Sequence, residues 1–163
     1  MDEALLAALY RFSWALTGHE ADAAALTHEV IAKSSEQRAS ISGARAREVA
    51  LLSLAYQLFT GGAPLVLPAA HERIARLSKL SLQHADALIS ESLLKTFGGL
   101  ELPQRAALVL FFTTQCSLHD IAAILQRTSE ETVAIISRGK AEWHHILARS
   151  GTPRGDLPER GLP

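Results

Sequence analysis

Apolar residues recur every three or four positions over most of the chain, and the breaks in that rhythm coincide with glycine, proline or helix-capping residues. Leu5, Leu6, Leu9, Phe12, Trp14 and Leu16 give residues 3–17 a broad apolar face, and Gly18 is placed to stop that helix. The same spacing predicts a second helix over 20–37, with Ala23, Leu26, Val30 and Ile31. A third is expected over 44–59, with Val49, Leu52, Tyr56 and Phe59 on one stripe. The stretch "TGGAPLVLPAA" then interrupts the pattern, because Gly61, Gly62, Pro64 and Pro68 cannot continue a helix. A weaker helical pattern covers 70–79 and a firmer one 86–97, ended by Gly98 and Gly99. Pro103 suits the first turn of "PQRAALVLFFTT", a segment apolar enough to sit at the centre of a second core.

Two short helices follow, joined by a tight turn. Ser117 with Asp120, and Thr128 with Glu131, have the spacing of capping boxes. In each, a hydroxyl takes a free backbone N–H and a carboxylate reaches back to the cap residue. Ile121, Ala122, Ile124 and Leu125 give the first of the pair a buried side, and Ala122 is small enough for the second to cross closely. No stretch alternates apolar with polar residues as a half-buried strand would, and β-branched and aromatic residues are few. The expected class is all-α, in two small helical domains. A three-helix unit spans 1–60, a linker 61–83, a helix-turn-helix domain 84–149, and a Pro- and Gly-rich tail, expected to be disordered, 150–163.

Charge changes the picture for the helix-turn-helix. Sixteen Lys and Arg face seventeen Asp and Glu, whereas a domain that holds DNA usually has a basic face and a high isoelectric point. The lone cysteine, Cys116, has no partner for an internal disulfide and no second Cys for a metal pair, which fits a reducing cytoplasm. The N-terminus "MDEALLAALYRF" carries acids where a signal peptide needs bases, and no apolar run approaches membrane-spanning length, so neither export nor membrane insertion is expected.

No catalytic constellation stands out, and neither enzymatic activity, a metal nor a cofactor is expected. His144 and His145 are adjacent and diverge on a helix, while His28 beside Glu29 lacks a second His four residues away. Gly61-Gly62 and Gly98-Gly99 lack the lysine and helix start of a phosphate loop. Cys116, without a positioned base, reads as a small buried residue at the helix-helix turn. Spacing alone also leaves the paired helices open to two readings, plain helical packing or a DNA reader.

The order of segments carries a resemblance. "LYRFSWALTGHEADAAALTHEVIAKSS" is similar to the core-binding segment of small bacterial sigma factors of the extracytoplasmic-function type, with the "LTG" turn and the "ADAAALTHEV" run in order. "LELPQRAALVLFFTTQCSLHDIAAILQRTSEETVAIISRGKAEW" resembles their promoter-reading C-terminal domain without a gap. The resemblance extends to about Arg149 and implies two helical domains, binding to RNA polymerase core and to promoter DNA, and control by an anti-sigma factor. It places Leu26, Glu29 and Lys33 as polymerase-binding candidates, and Arg127, Val133, Ile135, Arg138 and Lys140 on the DNA-facing side.

Several positions depart from that pattern. Ala25 stands where the family has an acid that helps to hold the polymerase clamp. In "ALLSLAYQLFTGG", Ala50, Tyr56 and Gln57 replace the family's Trp, Arg and Asn, and no basic run follows. In the recognition helix, Thr132 falls on a buried Val, Val133 on a Lys, Ala134 on a Ser, Ile135 on an Arg and Ile136 on a core Leu. Arg127, Arg138, Lys140 and Arg149 are matched in this region by Asp120, Glu130, Glu131 and Glu142, leaving no net attraction for phosphates. In this ungapped register Val133 and Ile135 face outward, as aliphatic residues at a protein interface do. A register shifted by one instead puts Val133, Ile136, Lys140 and Trp143 inside.

The expectation is a sigma-factor-like regulator of transcription initiation. It would act as a decoy that binds an anti-sigma factor through protein contacts, with weak or absent promoter reading. Leu65, Val66 and Leu67 of the linker, with Val133 and Ile135, are its partner-binding candidates. The alternative is an active but divergent sigma factor that binds polymerase core and promoter DNA.

Overall fold

The computed structural model describes residues 3–36, 43–62 and 96–150. Among the described residues the protein is helical: α1 (Glu3–Thr17), α2 (Glu20–Glu36), α3 (Ala44–Thr60), α4 (Leu102–Thr113), α5 (Leu118–Leu125) and α6 (Ser129–Ser150). The helix expected over 70–79, most of that over 86–97, the linker from residue 63 onward and the tail beyond 150 lie outside the described residues. Thr96 and Phe97 are helical and enter the turn at Gly98 and Gly99.

The helix ends follow from local chemistry. Gly18 takes φ +76°, and its N–H donates to the Trp14 carbonyl at 2.8 Å. That left-handed conformation is strained for residues with a Cβ, so the glycine stops α1 and lets the chain reverse into α2. α4 starts with a proline in its first turn, where the missing N–H removes no helical hydrogen bond. α5 has the full capping box at Ser117: the hydroxyl accepts from the Asp120 N–H at 3.2 Å, and the Asp120 carboxylate accepts from the Ser117 N–H at 2.9 Å. The same reciprocal pair opens α6, where the Thr128 N–H donates to Glu131 at 2.8 Å and the Glu131 N–H to the Thr128 hydroxyl at 3.2 Å. Ser117→Ala is expected to cost about 1 kcal/mol, measured as a lower denaturation midpoint with an unchanged denaturant slope.

One apolar cluster runs through all six helices, from Leu9, Phe12 and Leu16 through Leu52 and Leu108 to Ile136 and Trp143. α1 packs on α2, α3 and α4, while α4 packs on α5 and α6 and α3 packs on α5. The N-terminal and C-terminal helices therefore meet across an apolar interface, which two arginines reinforce. Arg105 of α4 donates to the Leu16 carbonyl at the end of α1, at 3.1 Å, and Arg45 of α3 reaches Asp120 of α5. A cation at the C-terminal end of α1 also complements the helix dipole.

α6 crosses α4 closely at Gly139. A Cβ there would lie 3.2 Å from the Gln104 Cβ and 3.3 Å from the Leu108 Cγ and Cδ1. The glycine gives up helix propensity so that the two backbones can approach. Beyond this crossing, Trp143 fills the space between α4 and the segment before it. Its ring lies 4.7 Å from Phe97 and 5.6 Å from Phe112, and its indole N–H donates to the Thr96 hydroxyl at 2.7 Å.

Candidate functional site

The surface most open to a ligand reading is the helix-turn-helix formed by α5 and α6. The turn is built without glycine. Gln126 occupies the left-handed region at φ +56°, and the N–H of Arg127 closes onto the Ala122 carbonyl at 2.9 Å. Holding a residue with a Cβ there costs roughly 1–2 kcal/mol, which the cap bonds and the packing of α5 offset. Ile121, Ala122, Ile124 and Leu125 are all buried, and Thr132 at the start of α6 is fully enclosed.

The orientation of α6 separates the candidate residues. Thr132, Ile136, Gly139, Trp143 and Leu147 lie along its inner face. At about 100° per residue, Val133 and Ile135 sit on opposite edges of that face, each roughly 80° from its centre. The neighbouring helices cover only one edge: Ile135 is 8% exposed and belongs to the core, whereas Val133 is 37% exposed. The expected outward-facing pair is therefore corrected to a single residue, Val133. Thr132 and Ile136 are buried, as the ungapped register requires, and Val133 is not inside as the shifted register requires.

Lys140 is corrected in the same way. It is half-buried, and its ammonium lies 4.6 Å from the centre of the Phe111 ring and 5.5 Å from that of Phe112. The stem runs along α4, and the charge is held over aromatic faces instead of projecting toward a phosphate. Arg127 and Arg138 remain exposed, and the Arg138 Nε donates back to the Ala134 carbonyl at 3.4 Å. Glu130, Glu131 and Glu142 are exposed beside them. The outer surface of α6 is thus of mixed charge around Val133, Ala134, Ser137 and Ala141.

The residues placed for polymerase binding divide similarly. Leu26 is fully buried in the core and Ala25 is 1% exposed, so neither is at the surface. The apolar face of α2 that periodicity identifies is the face the fold uses for itself. Glu29 and Lys33 remain at the surface and pair with each other at 3.4 Å. Leu65, Val66 and Leu67 lie outside the described residues.

Arg45 is the residue that local pattern does not reveal. Its guanidinium donates to Glu48 at 3.1 Å, to Asp120 at 2.7 Å and to the Gln115 carbonyl. Burial acts to raise the Asp120 carboxyl, but the hydrogen bonds from Ser117 and Arg45 outweigh it and hold the group below its ordinary value. Glu131 is also held low, first by the Thr128 backbone N–H and then by the Thr128 side chain. A carboxylate with a depressed folded pKa contributes stability that is complete above its unfolded value and is lost as pH falls through the folded one. The helix-turn-helix is therefore expected to lose stability on acidification below the ordinary carboxylate range. In Asp120→Asn that acid-side slope should be shallower, as read from denaturation midpoints against pH.

Cys116 is 1% exposed between α4 and α5, and burial pushes its thiol up, which makes it a poor nucleophile. Among the described residues, no group of His, Cys, Asp and Glu could hold a metal ion, and no helix is long and apolar enough to cross a membrane. Comparison of the chain with protein-family models, curated proteins and solved structures finds no match.

Proposed function

We propose that the protein is a sigma-factor-like regulator of bacterial transcription initiation. It acts as a decoy, taking up an anti-sigma factor through protein contacts. The reading rests on the resemblance of the two segments to extracytoplasmic-function sigma factors, with residues 1–60 and 84–149 as the two sigma-like units. The observation that carries the decoy form is the outer face of α6. Val133 is its exposed large apolar residue, and Ile135 and Lys140 are turned into the fold. Arg127 and Arg138 stand among exposed acids, so few counterions would be released on a duplex and non-specific affinity would be low. Enzymatic activity has no part in this reading.

Capture of partners from the native cell on the intact chain tests it. The decoy predicts retention of an anti-sigma factor without core polymerase, and Val133→Lys is expected to weaken that retention while helical content stays unchanged. Binding to a duplex selected from a random pool, tight at physiological salt and falling steeply as salt rises, would instead establish an active divergent sigma factor. The exposed Arg127 and Arg138 are the observation that favours that second reading.

A further inference from the structure

The contact between α3 and α5 joins helices that are far apart in sequence, and one carboxylate oxygen organises its polar edge. Asp120 Oδ2 accepts from the Ser117 N–H at 2.9 Å, the Ser117 hydroxyl at 2.6 Å and the Arg45 guanidinium at 2.7 Å. The cap that starts α5 is thereby also the seat for a cation from α3. Arg45 adds a bond to the Gln115 carbonyl on the loop that leads into that cap, and Glu48, one turn along α3, holds the guanidinium from behind at 3.1 Å. Beneath this edge, Leu51, Leu52, Ala55 and Tyr56 of α3 are buried, as are Ile121, Ile124 and Leu125 of α5. Burial raises the Tyr56 phenol above its ordinary value, against the opposing charge of Arg127.

We propose that Arg45 is a latch on a closed state, in which α5 covers the inner face of α3 and keeps that face from any other partner. The apolar contact supplies most of the adhesion, and the arginine selects the docked geometry by demanding a carboxylate and a carbonyl together at Nη2 while Glu48 holds Nη1. Opening separates α3 from α5 as a unit, because the guanidinium, the cap and the apolar face are released in one movement. The latch stands on the fold alone. Its meaning as autoinhibition rests on the proposed function, in which α3 belongs to the first sigma-like unit and α5 to the second.

Native-state hydrogen exchange on the full chain tests it. Arg45→Met keeps the stem and removes the guanidinium, and it is expected to speed exchange in 51–56 of α3 and in α5 together, by about two- to fivefold, the range of a partly exposed ion pair. Exchange in 23–26 of α2 should hold its wild-type rate. Added salt should speed the same two segments in the wild type and change the variant little. Glu48→Gln removes only the pair within α3 and should leave α5 unchanged. The latch is overturned if Arg45→Met leaves both segments at wild-type rates, speeds α5 alone as a frayed cap would, or speeds every helix equally. Any of these outcomes leaves the decoy reading standing, since that reading is tested separately, by partner capture and by Val133→Lys on the outer face of α6.

Discussion

Ile135→Arg is expected to destabilise the protein severely, whereas Val133→Lys, two residues away on the same helix, is expected to fold and melt like the wild type. Ile135 is 8% exposed and lies in the shared apolar cluster. Its replacement removes a buried aliphatic side chain, worth roughly 2–5 kcal/mol on truncation, and forces a cation into apolar surroundings or out of them at the cost of displaced packing. A loss of about 3 kcal/mol is a large share of the stability of a small domain, and for a chain of this size corresponds to a melting point lower by on the order of 10 °C. Val133, at 37% exposure, has room for a lysine stem and water for its charge. Thermal melts of the two single variants make the comparison. Equal, small shifts would place Ile135 at the surface and return it to the partner-binding face.

Trp143→Ala should be at least as damaging, by about 3–5 kcal/mol. The indole is 1% exposed, lies between the Phe97 and Phe112 rings and donates to Thr96. Truncation opens a void at the place where α4, α6 and the segment before α4 meet, and the close crossing at Gly139 limits how far α6 can move to fill it. Trp143→Phe restores much of the apolar volume but not the hydrogen bond, and should recover more than half of the loss. Chemical denaturation measures both variants, with the emission of Trp14, the other tryptophan, as a readout of the N-terminal helices. Because one cluster connects the two sets of helices, the Trp14 signal should shift to lower denaturant in Trp143→Ala. An unmoved Trp14 transition would mean that the N-terminal helices fold independently of the C-terminal ones.

Helix positions, caps and class are legible in the chain because they depend on neighbours three or four residues away. Leu5 to Leu16 and Gly18 define α1, and the Ser117–Asp120 and Thr128–Glu131 pairs start α5 and α6 through bonds within a single turn. The burial of Cys116 and of the inner side of α5 follows from composition and spacing in the same way. Which edge of α6 would be covered is not a local property. Val133 and Ile135 are aliphatic and nearly equidistant from the centre of the inner face, so periodicity treats them alike, and only the placement of neighbouring helices buries one and exposes the other. Lys140 reads as a free cation until α4 brings Phe111 and Phe112 beneath it. Leu26 reads as part of a binding face until the shared core encloses it. The Arg45–Asp120 pair spans 75 residues and has no sequence signature, because its geometry exists only once α3 and α5 have docked.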